Sequence, residues 1–170
     1  PANPQVMPKP SAYWGSQPYW YDPAITNHAA LDSKGRVWMS SRFRRPENQP
    51  AFCRNHPSAA LAPQQSSFRQ VQYYDPKTQT FHPVNICFDT HHVQFATDKD
   101  ETLYGNGVFS GAIGWINTRI LDETGDEAAA QGWCLPYYDI DGSGKIEAGG
   151  DRYVFADLGT PSGQIAGMQV

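Results

Sequence analysis

An all-β fold of short antiparallel strands is what this sequence predicts, and three observations carry the prediction. The 170-residue chain is punctuated by 15 Gly and 14 Pro and holds 22 aromatic residues (5 Trp, 9 Tyr, 8 Phe). That composition suits many short strands and turns rather than long helices. Short apolar segments also bracket turn-forming tetrads: "HAAL" and "RVWMS" flank Asp32-Ser33-Lys34-Gly35, and "QYY" and "TF" flank Asp75-Pro76-Lys77-Thr78. Finally, one of these hairpins recurs along the chain.

Taken in order, residues 1–23 hold six prolines and several aromatics, which predicts an extended lead-in that packs its rings on the body rather than a helix. The body is expected over 24–170. Gly35 supplies the positive φ that a bulged hairpin turn needs, so strands are expected on both sides of it. Residues 42–67 have little strand character and are read as a long loop inserted into one hairpin. The basic cluster within it (Arg42, Arg44, Arg45) is read as a solvated loop. Pro76 fixes φ at the first corner of the second hairpin turn. One helix is expected, in "DETGDEAAAQGW", with Thr124 as N-cap, Asp126 and Glu127 in the first turn and Gly132 as the stop.

The recurrence lies in "TNHAALDSKGRVWMS" and "THHVQFATDKDETLYGN". Both read Thr, one residue, His, a short strand, an acidic turn and a strand bearing an aromatic. Thr26 aligns with Thr90, His28 with His92 and Trp38 with Tyr104, with a turn two residues longer in the second copy. Hairpins repeated with Asp-rich turns are the habit of β-propeller blades, and the 42–67 insertion accounts for the long spacing. The expected fold is therefore all-β, with propeller-type blades in an incomplete ring and one short helix.

A net charge of −4 gives no reason to expect nucleic acid or an anionic membrane as partner. No apolar run approaches the roughly 20 residues that span a bilayer. Of the three cysteines, Cys53 and Cys87 are candidates for a bridge in an oxidising compartment with Cys134 left over; free packed thiols are the competing reading. No CxxC is present, which argues against a zinc ribbon or a redox pair. Nucleophile elbow, Walker loop, HExxH and dinucleotide fingerprint are also missing from the sequence.

Two constellations could carry chemistry. In "DIDGSGKIE", Asp139, Asp141 and Ser143 alternate as oxygen donors ahead of the Gly144 bend, and Lys145 can offer its carbonyl. Glu147 and Asp151 are available to complete a calcium shell; a metal-free tight turn has the same composition. The second constellation is His28 and His92. If they occupy equivalent places in two blades, they converge on one axial region and could ligate a second divalent metal or act as an acid–base pair. Strand-start histidines satisfied by backbone carbonyls are the plainer alternative. His91, one residue earlier on an extended segment, is expected to face the other way. His56 and His82 precede prolines in loop-like stretches.

The segments "TNHAALDSKGRVWMSSR", "FCRNHPSA", "VQYYDPKTQTF", "CFDTHHVQFATD" and "GWINTRILDETGDEAAAQGW…DIDGSGKIE" together resemble bacterial exported β-propeller proteins of the streptogramin lyase (virginiamycin B lyase-like) type. The resemblance extends to uncharacterised relatives joined to carboxypeptidase-regulatory-like domains. It covers most of residues 12–147. It implies a propeller in the periplasm or outside the cell, with a divalent metal and a catalytic histidine near a central channel, opening a lactone linkage by elimination.

Two to four blades do not close a ring of six or seven, so the remainder of a longer chain, or another chain, is the expected partner. Two functions stay open. One is a metal-assisted lyase or hydrolase acting on a small molecule in the axial channel through His28 and His92. The other is a non-catalytic, calcium-stabilised binding or assembly module whose rim aromatics (Trp14, Trp20, Trp38, Trp115) hold a ligand.

Overall fold

The computed structural model describes residues 26–107, 112–135, 137–139 and 151–153; the lead-in predicted over 1–23 lies outside them. Two four-stranded antiparallel sheets dominate. The first runs β1 (Ala29–Leu31), β2 (Val37–Ser41), β3 (Gln70–Asp75) and β4 (Thr80–Val84), in that order across the sheet. The second runs β5 (His92–Phe95), β6 (Thr102–Asn106), β7 (Ile113–Asn117) and β8 (Gln131–Cys134). A third ladder pairs β9 (Tyr137–Asp139) with β10 (Asp151–Tyr153).

The turns obey the sequence. Gly35 sits at φ 80°, and the Asp32 carboxylate accepts the backbone N–H groups of Lys34 and Arg36. The same device closes the first hairpin of the second sheet. There Asp98 accepts from the Thr102 N–H, and Glu101 takes the positive φ, at 48°. In the third turn Asp75 accepts from Lys77 N–H and Gln79 adopts φ 58°. A carboxylate at the turn's head fixes the local backbone whether or not a glycine follows.

Helices differ from expectation in number and place. Among the described residues three short ones are present: α1 (Phe52–Asn55) and α2 (Pro57–Leu61) inside the 42–67 insertion, and α3 (Thr118–Thr124) after β7. Pro57 opens α2 at the position where a missing N–H costs nothing, and His56 caps it by accepting from Ser58 N–H at 3.1 Å. Thr124, expected to begin a helix, ends one. Asn117 caps α3 by accepting from Ile120 N–H, and Gly125 terminates it in the left-handed region at φ 67°. The expected first turn, Asp126 onward, is a single turn in which Asp126 holds the Ala128 and Ala129 N–H groups before β8 takes over.

The two sheets are built on one register. Ala30 pairs with Trp38 and Trp38 with Tyr73, which pairs with His82; Gln94 pairs with Tyr104, Trp115 and Gly132 in the same succession. The alternate row Leu31, Val37, Tyr74, Phe81 matches Phe95, Leu103, Ile116, Gln131. Side chains of adjacent rows point to opposite faces. The Trp38 row of the first sheet packs on the Leu103 row of the second: Trp38 and Phe95 meet edge to face at 6.2 Å, and Trp38, Val71, Val84, Val93, Leu103, Ile116 and Trp133 share one buried core. The linker between the sheets contributes Ile86, Cys87 and Phe88, all at most 1% exposed. Phe88 lies over Gly114, where a Cβ would fall inside the ring.

The 42–67 insertion bridges the sheets. It leaves the first sheet, and α2 lies on β8 of the second. Ser58 Oγ accepts the Trp133 N–H at 3.0 Å, and Ala62 carbonyl accepts the indole N–H of Trp133 at 2.6 Å. His56 stacks on the same indole at 4.6 Å. A disulfide joins Cys53 to Cys87, with Cα atoms 5.3 Å apart, and Cys134 is a free, exposed thiol. No helix among the described residues is long and apolar enough to cross a membrane.

Candidate functional site

β1 and β5 lie side by side, so the residues at their leading ends meet. His28 precedes β1 and its carbonyl accepts from Ser40 N–H; His92 opens β5 and its N–H donates to Asn106 Oδ1 at 3.1 Å. Ser40 and Asn106 are equivalent in the matched registers. The His28 and His92 rings come to 3.6 Å between centroids, tilted by 57°. His92 is 7% exposed and Asn106 is 1% exposed.

His91 departs from its expected place. Its ring lies 4.2 Å from that of His92 and 5.3 Å from that of His28, so three imidazoles gather where two were expected. Alternation governs residues within a strand, and β5 begins at His92. His91 still belongs to the linker, where its N–H donates to the Asn106 carbonyl at 2.6 Å and its carbonyl accepts from Ser40 Oγ at 3.1 Å. Among the described residues no group of three or more His, Cys, Asp or Glu is arranged to hold a metal ion. The rings are gathered, but their geometry is not that of a closed ligand set.

Asp139 and Asp151 sit opposite each other in the β9–β10 ladder, at the ends of the loop read as a calcium site. Asp141, Ser143, Lys145 and Glu147 lie outside the described residues. Trp38 is fully buried and belongs to the core, so it is not a rim aromatic. Trp14 and Trp20 lie outside the described residues, while Trp115 is half-buried on the open face of the second sheet.

An ion network that the sequence did not single out joins the sheets at the turn end of the β1–β2 hairpin, the end opposite His28. Asp32 accepts from Arg36 Nε at 2.5 Å and from the Trp38 indole N–H at 2.9 Å. Arg36 reaches across to Asp122 of α3 through both terminal nitrogens, at 2.6 and 2.9 Å. Lys34 joins the same carboxylate at 2.5 Å. Burial disfavours the charged form of Asp32, but the hydrogen bonds from Trp38 and Arg36 outweigh it and hold its pKa below the usual carboxylate value. Asp122 behaves alike, with burial overcome by Arg36 and Lys34. Arg44 is pushed down to about 10 by burial, opposed by the field of Glu127.

No family model matches the chain, and neither a curated protein nor a solved structure matches it.

Proposed function

We propose that these sheets are neighbouring blades of an exported β-propeller whose ring is completed by the rest of a longer polypeptide. In this reading the His28/His92 centre serves metal-assisted lyase or hydrolase chemistry on a small molecule in the axial channel. The observation that carries it is the matched register. The Leu31–Val37–Tyr74–Phe81 row of the first sheet is the counterpart of the Phe95–Leu103–Ile116–Gln131 row, which is covered by the preceding sheet. Leu31 is 68% exposed and Val37, Tyr74 and Phe81 are half-buried, so the row calls for the same kind of cover. Head-to-tail stacking of this kind closes into a ring when the rotation allows. The Cys53–Cys87 bridge suits an oxidising compartment, periplasmic or extracellular.

In such a ring His28 and His92 are inner-strand residues. Imidazoles alone favour zinc, copper or nickel over magnesium, so two nitrogen ligands come from this chain and the others from substrate, water or the completing segments. A neutral imidazole next to the metal would serve as general base for the elimination or hydrolysis. A second reading, the non-catalytic calcium-stabilised module, draws on the β9–β10 pairing, which brings the two ends of the 139–151 loop together.

Calorimetric titration with Zn²⁺, Mg²⁺ and Ca²⁺ tests both. The first reading expects Zn²⁺ binding that His28→Ala and His92→Ala each weaken at least tenfold, about 1.4 kcal/mol, without change in Ca²⁺ binding. Zn²⁺ affinity indifferent to both substitutions removes the histidine centre, and Ca²⁺ binding lost in Asp139→Asn then leaves the module.

A further inference from the structure

Away from the histidines, a cleft of about 430 Å³ opens between β3 and β4 of the first sheet, α1 and the α3–β8 connection. That volume suits a small ligand. Its walls include Phe52, Tyr73, His82 and Leu121, and its polar lining includes Asp126 and Glu127.

The aromatic wall is a fixed plate. Tyr73 and His82 stack at 4.6 Å with their planes only 13° apart. The Arg36 guanidinium lies 4.7 Å from the Tyr73 centroid and is itself held by Asp32 and Asp122. His82 Nε2 is tied to Thr80 Oγ1 at 2.8 Å. The plate is thus anchored through the ion network to the core, and ordering it on binding costs little.

The carboxylates are half-used. Asp126 Oδ1 caps the Ala128 and Ala129 N–H groups, and Glu127 Oε1 accepts from Asn85 N–H at 2.9 Å. Among the described residues, Asp126 Oδ2 and Glu127 Oε2 accept no hydrogen bond. The lining therefore offers acceptors to a donor-rich ligand. Asp122 is already paired with Arg36 and Lys34, which leaves Asp126 and Glu127 as the acceptors open to a ligand. The flat ring decides which kind: the apolar face of a sugar ring packs on an aromatic plane while its hydroxyls find acceptors at the rim, and cationic amines are the competing ligand.

We propose that this cleft binds a neutral saccharide, one face of a sugar ring lying on the His82–Tyr73 plate and its hydroxyls donating to Asp126 Oδ2 and Glu127 Oε2. The site shares no residue with the His28/His92 centre and does not depend on its chemistry.

Saturation-transfer NMR and calorimetry on the 170-residue chain, with glucose, galactose, mannose, N-acetylglucosamine and cellobiose, provide the test, with putrescine and arginine as cationic comparisons. The expected result is one-to-one saturable binding of at least one saccharide, weakened about tenfold or more by His82→Ala and by Asp126→Asn. The second variant keeps the oxygen that caps Ala128 and Ala129, so its fold is preserved. Binding of the amines in place of saccharides, binding unchanged in both variants, or no saccharide binding at all overturns the proposal.

Discussion

Asp32→Asn isolates the ion network that ties the sheets together. The asparagine keeps an oxygen for the Lys34 and Arg36 backbone N–H groups, so the turn survives. Its amide, however, replaces the oxygen that accepts from Arg36 Nε and Trp38 Nε1, setting a donor against two donors. The Asp32 side chain is fully buried and that of Arg36 is 8% exposed, so water does not replace the lost acceptor. Leaving one partner of a buried pair uncompensated costs about 3–5 kcal/mol. Asp122 still holds Arg36 through two contacts, which places the loss near the lower end, about 3 kcal/mol.

In a domain of this size that corresponds to a fall in melting temperature of roughly 6–12 °C. Urea denaturation followed by tryptophan fluorescence measures it. The pH dependence has a definite sign. The folded pKa of Asp32 lies below its ordinary 3.8, so its contribution is present in full above that value and is lost as pH falls through the depressed one. The gap between wild type and Asp32→Asn is thus widest at neutral pH and narrows below about pH 4. A loss under about 1 kcal/mol at pH 7, or a gap that does not change on acidification, refutes the assignment of Asp32 as the buried partner of Arg36.

Gly114→Ala is expected to displace Phe88, whose ring fills the space a Cβ would need, at a cost of about 1–3 kcal/mol or more; equal melting curves would contradict the packing. Replacing Cys53 and Cys87 by Ser opens a loop of 34 residues, for which chain entropy gives about 4 kcal/mol. Denaturation of the double variant under non-reducing conditions reads this directly, and an unchanged midpoint would count against the bridge.

Much of the fold was legible in the residues. Asp32-Ser33-Lys34-Gly35 and Asp75-Pro76-Lys77-Thr78 are local turn chemistry, and local chemistry survives into the structure. The alignment of Trp38 with Tyr104 was legible too, because matching hairpins keep matching registers, as the Ala30–Trp38 and Gln94–Tyr104 pairs show. The helices were less so. "DEAAA" has the composition of a helix, but Gly125 ends the preceding one and Gln131 is held by Cys87 N–H and the Asn85 carbonyl at the start of β8. Those partners are more than 40 residues away, beyond any local propensity. At the histidines, the meeting of residues 28 and 92 could be anticipated from the repeat. The third ring could not, since it depends on where β5 begins. The Asp122 link to Arg36 spans 86 residues and leaves no periodic trace.

The bridge formed by the 42–67 insertion imposes an order of events on a chain made from its N-terminus. Ser58 and Ala62 need Trp133, 75 and 71 residues later, which at ordinary synthesis rates is a delay of several seconds, about 4–15 s. Cys87 is made 47 residues before Cys134, about 2–9 s at the same rates, so the correct thiol partner of Cys53 is available first. Chain order itself thereby guards against the wrong crosslink.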